Sequence, residues 1–405
     1  MKRSLLKTVA WAGLLAAGMV NAAFAGGFSR GTAATDLLYE DGNFNMRFDA
    51  RVVVPHQTFS ANVNPALVGT SFYETYIIPS AAVKFNISDN LRCAGTYTQN
   101  TGSDVEYVAP KFPTGKLSEV FTTDEFGLTC AVRFNVGQGI ISVIGGGFAE
   151  DLNYERVTDL SVPINLARAA AGLPPLLPAG TNAPLALDGQ EYGWRAGLAY
   201  EIPKYRLRAE LIYRSGTDYG ATGTLTVPGV LAGAPGVPTV ALPATAAGNL
   251  PQSVELNVRS GVAEGWLVFG SVRWTDWSVL DTLTVTTPLS TQVDQYNWRD
   301  GWTVTGGVVH SFNDMFAGQV SLTWDRGVNT GWDLRGEVWT LALGGRLRAP
   351  VGGEFRFGAG FSYLSDEETT QYANAIIPGN IRSGFNEATD SGYAITLNAG
   401  YIIQW

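Results

Sequence analysis

The chain has 405 residues, with 36 acidic against 27 basic side chains and a net charge of −9, so it lacks the basic footprint that nucleic-acid binding needs. Charge is sparse at 16%, against about 25% in an ordinary soluble domain, while there are 48 glycines and 11% of residues are aromatic. Two cysteines exclude a disulfide scaffold, and no stretch beyond the N-terminus approaches the ~18 apolar residues of a membrane helix.

Lys2, Arg3 and Lys7 precede an apolar run from Val9 to Val20, and Ala23-Phe24-Ala25 follows. This is the pattern of a secretory signal cut after a small-x-small site. Residues 1–25 are expected to be removed, leaving a mature chain that begins at Gly26. Its charge balance is 24 basic (27 less three) against 36 acidic, or −12. Residues 26–43 carry Gly26, Gly27, Gly31, Asp36, Glu40 and Asp41 and are expected either to plug a lumen or to hang in the periplasm.

From there the chain alternates with period two. Strands are expected near 44–58, 75–87, 90–106, 118–136, 139–157, 189–202, 204–218, 251–262, 265–279, 297–311, 314–326, 335–348, 353–365 and 391–405. Phe355, Phe357, Ala359, Phe361 and Tyr363 form one row, with Arg356, Gly358, Gly360 and Ser362 between them. The last row runs from Tyr393 to Trp405. Alternation alone also suits a soluble sandwich. Aromatics at both ends of the apolar rows suit interfacial girdles instead. Tight turns (Ser88-Asp89, Gly137-Gln138, Pro203, Ala263-Glu264, Asn313, Val351-Gly352) alternate with long connections at 59–74, 107–117, 158–188, 219–250, 280–296, 327–334 and 366–390. Short turns on one side and long loops on the other are the mark of an outer-membrane barrel. Lipid then demands that the sheet close on itself. The expected fold is all-β, a transmembrane antiparallel β-barrel of about fourteen strands spanning 44–405, with 26–43 as a short N-terminal segment. The strands at 75–87 and 139–157 alternate poorly. Cys93 and Cys130 fall on neighbouring outward rows, where a disulfide and two buried thiols both remain open.

Catalysis finds little support. A barrel hydrolase needs His and Ser at i and i+2, yet His310 is followed by Ser311 and Phe312, and His56 has Thr58 at i+2. Both read as interfacial histidines. No His/Cys cluster offers a metal site, and no cofactor is implied. The inward rows carry Arg47, Asp49, Arg51, Arg92, Arg133, Arg195, Arg206, Arg208, Glu210, Arg214, Glu255, Arg259, Arg346, Arg348 and Arg356. Most of these are expected to pair across the lumen, leaving one or two to meet a carboxylate. Two outer loops are short of charge. Residues 219–254 have none, with Val227, Val230, Leu231, Val237, Val240 and Leu242; residues 160–187 have only Arg168, with Leu166, Leu173, Leu176 and Leu177. Apolar surface of this extent at the outer mouth suggests a binding surface.

Leu250-Pro251 through Val254-Glu255, Trp274-Thr275-Asp276-Trp277-Ser278 and Leu283 resemble the eighth and ninth strands of the FadL-like outer-membrane transporters of long-chain fatty acids and aromatic hydrocarbons. Tyr192-Gly193-Trp194 to Tyr200-Glu201, Tyr213-Arg214-Ser215 and Trp298-Arg299-Asp300 match further segments in order, from about residue 75 onward. The resemblance implies a monomeric fourteen-stranded barrel with an N-terminal hatch, and a groove between the loops after strands five and seven. Ligand would pass to a tighter internal pocket and leave through a wall gap at a kink in strand three. On that basis Arg156, in Glu155-Arg156, is the candidate head-group residue. Leu166, Leu173, Leu176, Leu177, Val230, Leu231, Val240 and Leu242 are candidates for the groove, and Gly26, Gly27, Phe28, Asn100 and Gly102 for gating. Two departures stand out. Gln292, Asp294 and Gln295 occupy the place of a second basic residue, and Asn64-Pro65-Ala66, the hatch turn of the family, falls in the first outer loop.

The expected function is passive uptake of hydrophobic small molecules, long-chain fatty acids first, through an outer membrane whose lipid and lipopolysaccharide surround the barrel. An aromatic hydrocarbon importer of the same family, a general polar porin and a loop-based adhesin are the rivals.

Overall fold

Successive residues of a strand face opposite ways, so a row of large apolar side chains beside a row of small or polar ones defines two unlike faces. In the computed structural model, which describes residues 26–349, 352–371, 376–377, 381–382 and 386–404, these rows build one closed antiparallel barrel. The expected signal segment and Trp405 lie outside the described residues. The fourteen wall strands are β1 (Phe44–His56), β2 (Tyr76–Asn86), β3 (Leu91–Glu106), β4 (Lys116–Val136), β5 (Gly139–Asp159), β6 (Asn182–Ile202), β7 (Leu207–Arg214 and Thr217–Pro228), β8 (Thr239–Leu250 and Ser253–Ala263), β9 (Trp266–Thr275 and Thr282–Thr286), β10 (Thr291–Gln295 and Gly301–Ser311), β11 (Phe316–Asp325), β12 (Val338–Arg348), β13 (Glu354–Leu364) and β14 (Gly392–Gln404). Each pairs with the next, and β1 closes on β14, with Val52 opposite Leu397.

The barrel is inside-out relative to a soluble protein. Leu341 and Phe361, opposite each other on β12 and β13, are 52% and 55% exposed, while the neighbouring Thr340 and Ser362 are 1% and 0%. Those two hydroxyls bond each other across the lumen face at 2.8 Å. Trp274 opposes Trp302, and Trp324 opposes Trp339, which in turn opposes Tyr363 and then Tyr393. This ladder forms the girdle at the outer interface. The histidines join the aromatics: His56 lies 5.3 Å from Tyr393, and His310 lies 4.2 Å from Trp266.

Three expected loops are not simple loops. The segment 219–250 is mostly a hairpin, pairing Tyr219 with Gly248 and Val227 with Val240. Its Thr, Val, Ala and Gly residues alternate, and its lack of charge reflects the inward burial of Tyr219, Ala221, Ala244 and Ala246. The 158–188 connection holds a helix, α1 (Ser161–Ala170), at whose start the Ser161 N–H donates to Asp159 Oδ1 at 2.9 Å, and then the outer half of β6. The 280–296 connection holds a second short hairpin. Arg206, expected in the lumen row, instead ends the turn after β6 at φ 50.

Cys93 and Cys130 face each other across β3 and β4 with Cα atoms 4.0 Å apart, and they are bonded. Of the two readings the sequence leaves open, the structure has the disulfide. The bond staples β3 to β4 in the outward row. Reduction is expected to cost about 2–4 kcal/mol, seen as a lower temperature for the heat-dependent gel-mobility shift. An unchanged transition would show that the bond carries no stability.

Residues 26–40 pack inside the barrel, while Asp41, Gly42 and Asn43 are exposed. Small inward residues on the wall, Ala94, Ala131 and Ala199, leave room for Leu38 and Tyr39, and Leu37 packs on Ala82. Arg47 grips Asp36 with two bonds of 2.8 and 2.9 Å, and Lys84 Nζ donates to the Glu40 and Gly42 carbonyls. Burial alone would raise the Asp36 carboxyl, yet the Arg47 guanidinium holds it well below the usual carboxylate range. A lowered acid stabilises above its unfolded value of about 4 and stops doing so only as pH falls through its folded value. The contact therefore persists at neutral pH.

Candidate binding chamber and gate

Four wall strands break in their outer halves. β7 breaks at 215–216, β8 at 251–252 where Pro251 cannot donate to a ladder, β9 at 276–281 and β10 at 296–300. Side chains hold the breaks. Gln252 Nε2 donates to Asp276 at 2.9 Å, the Tyr213 hydroxyl to Gln252 Oε1 at 2.8 Å, and Trp274 Nε1 to Asp300 at 2.9 Å. The breaks bring Trp277, Leu280 and Trp298 into the interior, where they meet Phe121, Tyr154, Leu185, Leu187 and Tyr219. The result is an aromatic chamber in the outer half of the barrel.

The chamber is filled by the chain itself. The Phe28 ring sits 4.6 Å from Phe121, 4.6 Å from Trp298, 5.7 Å from Tyr296 and 6.0 Å from Trp277, centroid to centroid. The Arg335 guanidinium covers it at 4.6 Å and donates to the Gly27 carbonyl at 3.1 Å. Gly27 has φ 55, and an added Cβ would come within 2.7 Å of the Trp277 ring and 2.8 Å of Trp298. Gly27→Ala is therefore expected to unseat Phe28, at about 1–2 kcal/mol for the left-handed backbone alone. Planar-bilayer recordings should show more frequent opening. A trace as quiet as wild type would count against this packing.

Charged layers bound the chamber. At its outer edge Arg156, opposite Leu185 on β6, is 5% exposed and donates to Asp294 at 2.7 Å and Gln292 at 3.0 Å. At its floor Glu150, wholly buried, accepts from the Tyr219 hydroxyl at 3.0 Å, Thr217 at 2.9 Å and Asn100 Nδ2 at 3.0 Å, and pairs with Arg214. Arg214 and Arg195 share Glu125. Below this floor the lumen holds a cavity of about 240 Å³ whose lining includes Arg47, Arg51, Arg208, Glu210, Glu255 and Arg259. Descending into it would bring a hydrophobic molecule against charged side chains.

Beside the floor the pairing of the wall is incomplete. β2 and β3 pair only from Asn86–Arg92 up to Ser80–Thr98. Beyond that, a β-bulge at Asn100 shifts β3 against β4, and the free edge of β3 bonds the N-terminal segment. Arg30 N–H donates to the Asn100 carbonyl at 2.8 Å, Gly31 N–H to that of Gln99 at 3.0 Å, and Gly102 N–H to that of Phe28 at 2.9 Å. The Arg30 guanidinium fills the space, on Gln99 at 2.6 Å, on Asp104 at 3.0 Å and over the Tyr76 ring at 4.1 Å.

The structure thus brings together Gly26, Gly27, Phe28, Asn100 and Gly102. It does not bring the outer-loop residues together. Leu177 is buried within its own loop beneath Asn165, whose side chain ties to Leu176 and Leu177. Leu173, Leu176 and Val230 are exposed, and Leu166, Leu231, Val240 and Leu242 are half-buried. Among the described residues α1 makes no substantial packing contact with the β7–β8 hairpin. Trp277, Trp298, Glu150, Arg30 and Arg335 went unread as site residues. Both tryptophans sit in segments that carried the family resemblance, where an isolated Trp beside Asp in a strand-breaking turn was the available signal.

A closed barrel with an aromatic chamber above and an ion-paired lumen below defines a plugged channel for apolar molecules. Residues 21–326 match the family described as outer membrane protein transport protein (OMPP1/FadL/TodX). The chain belongs to that family of outer-membrane transporters of hydrophobic compounds. Among solved structures it is similar to a Pseudomonas aeruginosa FadL homologue, at TM-score 0.73 and 13% identity over 91% of this chain and 92% of the other. It is also similar to the Pseudomonas putida toluene transporter TodX, at 0.62 and 13% over 94% and 96%. A third is the Ralstonia pickettii toluene transporter TbuX, at 0.59 and 12% over 94% and 99%. No curated protein sequence matches the chain.

Proposed function

We propose that this transporter takes up uncharged hydrophobic molecules of aromatic-ring size, rather than long-chain fatty acids, by passive capture and lateral release. The observation that carries this reading is the Arg156–Asp294 pair. The guanidinium expected to hold a ligand carboxylate is already neutralised by the chain's own carboxylate and by Gln292. Carboxylate and carboxamide stand where a second cation was expected, so a fatty-acid head group would arrive opposite an existing negative charge. The chamber accepts a phenyl ring, since Phe28 occupies it. The toluene transporters among the similar structures point the same way.

In this reading the ligand reaches the chamber from the outer mouth and competes with Phe28. Phe28 couples chamber and exit because its ring fills the one while its carbonyl holds Gly102 at the edge of the other. Displacing the ring therefore loosens the stopper in the wall gap. Released ligand moves sideways into lipid instead of down through the ion-paired lumen, and no energy source is needed. The test is uptake of labelled toluene and labelled oleate by cells lacking other channels of this family. Toluene uptake dependent on this protein is expected, with little oleate uptake; equal or preferred oleate uptake would sink the proposal. Free flux of small sugars in liposome swelling would instead favour a polar porin.

A further inference from the structure

The lumen cavity of about 240 Å³ below the chamber floor is unevenly charged. Seven arginines line it against five carboxylates, in a chain whose overall charge is −9. Arg47, Arg195, Arg214 and Arg273 are ion-paired. Among the described residues Arg51, Arg208 and Arg259 form no ion pair, and of the carboxylates only Glu210 is likewise unpaired. Three positive charges therefore face one negative, an excess of two. Arg208 and Arg259 stand directly opposite each other on β7 and β8. Like charges so placed repel, and a buried charge without a partner is costly. Arg208 is 7% exposed, and the Tyr39 ring covers the flat face of its guanidinium at 4.1 Å. The edge is left for hydrogen bonds, yet among the described residues Nη1 of Arg208 has no acceptor, and neither has Nε of Arg259 or of Arg51.

We propose that this cavity binds a small tetrahedral oxyanion of the phosphate type, held by Arg208 and Arg259, with Arg51 completing the cradle. Such an ion accepts charge-assisted bonds from several directions at once, which suits guanidinium donors on separate strands. Two negative charges cancel the excess of two, whereas a neutral ligand would leave the repulsion standing. The site lies towards the periplasm. Arg208 comes directly after the short turn that follows β6, and Arg259 shortly before the one that follows β8; the short turns of such barrels face that side. The wall is fully paired here, with Arg208 against Glu201 of β6 and Arg259 against Phe269 of β9, so a lipid head group cannot enter with its acyl chains. The ion is a free one. Gly31 to Asp36 of the N-terminal segment also line the cavity, so the bound anion ties that segment to the wall. The site is separate from the aromatic chamber and serves whichever ligand the chamber takes.

The test uses the purified protein in detergent, in buffer free of phosphate and sulfate and held at constant ionic strength, with inorganic phosphate as the probe. Calorimetric titration should show a single saturable site, and phosphate should raise the gel-mobility transition where added chloride does not. Arg259→Gln should cut phosphate affinity about tenfold or more, the loss of one charge-assisted bond. Its effect on stability should change sign with the anion. Without phosphate the variant loses only a repulsion, so its transition should match or exceed that of wild type; with saturating phosphate wild type should be the higher. A purely structural arginine would instead lower the transition in both buffers when replaced. That outcome overturns the proposal, as does a wild-type protein with no saturable phosphate binding or with an equal response to chloride, so the wild-type titration decides even if the variant fails to fold. Tighter binding of glycerol phosphate than of inorganic phosphate would overturn the free anion in favour of a head group. None of these readouts depends on transport, so they stand or fall separately from the proposed substrate.

Discussion

Asp294→Asn is expected to raise the transporter's affinity for carboxylates. The substitution keeps the side chain's shape and one acceptor oxygen but removes the ion-pair partner of Arg156 in a site where it is 5% exposed, leaving Glu119, itself paired with Lys116, as the nearby carboxylate. A ligand carboxylate reaching that guanidinium makes a charge-assisted bond of about 1.5–3 kcal/mol, which is roughly a 10- to 100-fold gain in affinity. Toluene, which has no charge to offer, should change little. Quenching of the chamber tryptophans on titration with oleate and with toluene measures both ligands in one preparation. The variant also pays for an unpaired buried cation, so its gel-mobility transition should fall. If Asp294→Asn binds oleate no better than wild type, Arg156 does not face the ligand path and the argument for uncharged substrates fails with it. Arg156→Met alone strands Asp294 instead, and is expected to destabilise without gain for any ligand.

The barrel was legible because lipid enforces alternation wherever a strand must show one face outward. Phe355 to Tyr363 reads the same in the chain and in the wall. β5 was harder, because Gly145-Gly146-Gly147 removes three successive side chains and with them the period. Above the membrane that enforcement ends. The outer hairpin of β7 and β8 has Thr, Ala and Gly on both faces, and nothing in its composition separates a ribbon from a loop. The burial of Tyr219 and Ala244 comes from the chamber, which is assembled from strands far apart in sequence.

The same distance limits what could be read of the site. Arg156 was visible as a basic residue after a strand, but its partner Asp294 lies 138 positions away and only the closed barrel brings them together. In the sequence Asp294 stands only as a missing cation; its place as the counter-charge of Arg156 is three-dimensional. The plug shows the opposite case. Small inward residues, Ala94, Ala131 and Ala199, are a hollow written into three strands, yet alanine in an inward row is too common to announce what fills it. By resemblance, Asn100-Thr101-Gly102 is the place of a kink. The bulge sits at Asn100, and Gly102 serves mainly to make room for Arg30, whose Cζ would lie 2.6 Å from an added Cβ.

Phe28→Ala should have the second large effect, and its direction separates a stopper from a structural core residue. If Phe28 were core, removing its ring would leave a cavity costing about 3–5 kcal/mol, and binding and stability would fall together. If the ring is a placeholder for the ligand, the unliganded protein loses that packing while the liganded protein, from which the ring has already been displaced, loses nothing. The free energy once spent expelling the ring is returned to binding. Toluene affinity should then rise by roughly tenfold for each 1.4 kcal/mol of packing lost, and added toluene should restore the gel-mobility transition that the substitution lowered. The wall gap responds in the same sense: the Gly102 N–H keeps its acceptor, since the Phe28 carbonyl remains, but the segment is no longer pinned by the ring between Phe121 and Trp298. Opening events in planar bilayers should become frequent without ligand. A variant that binds toluene more weakly than wild type, and that toluene does not stabilise, would place Phe28 in the fixed core and leave the transporter without the coupling proposed between its chamber and its exit.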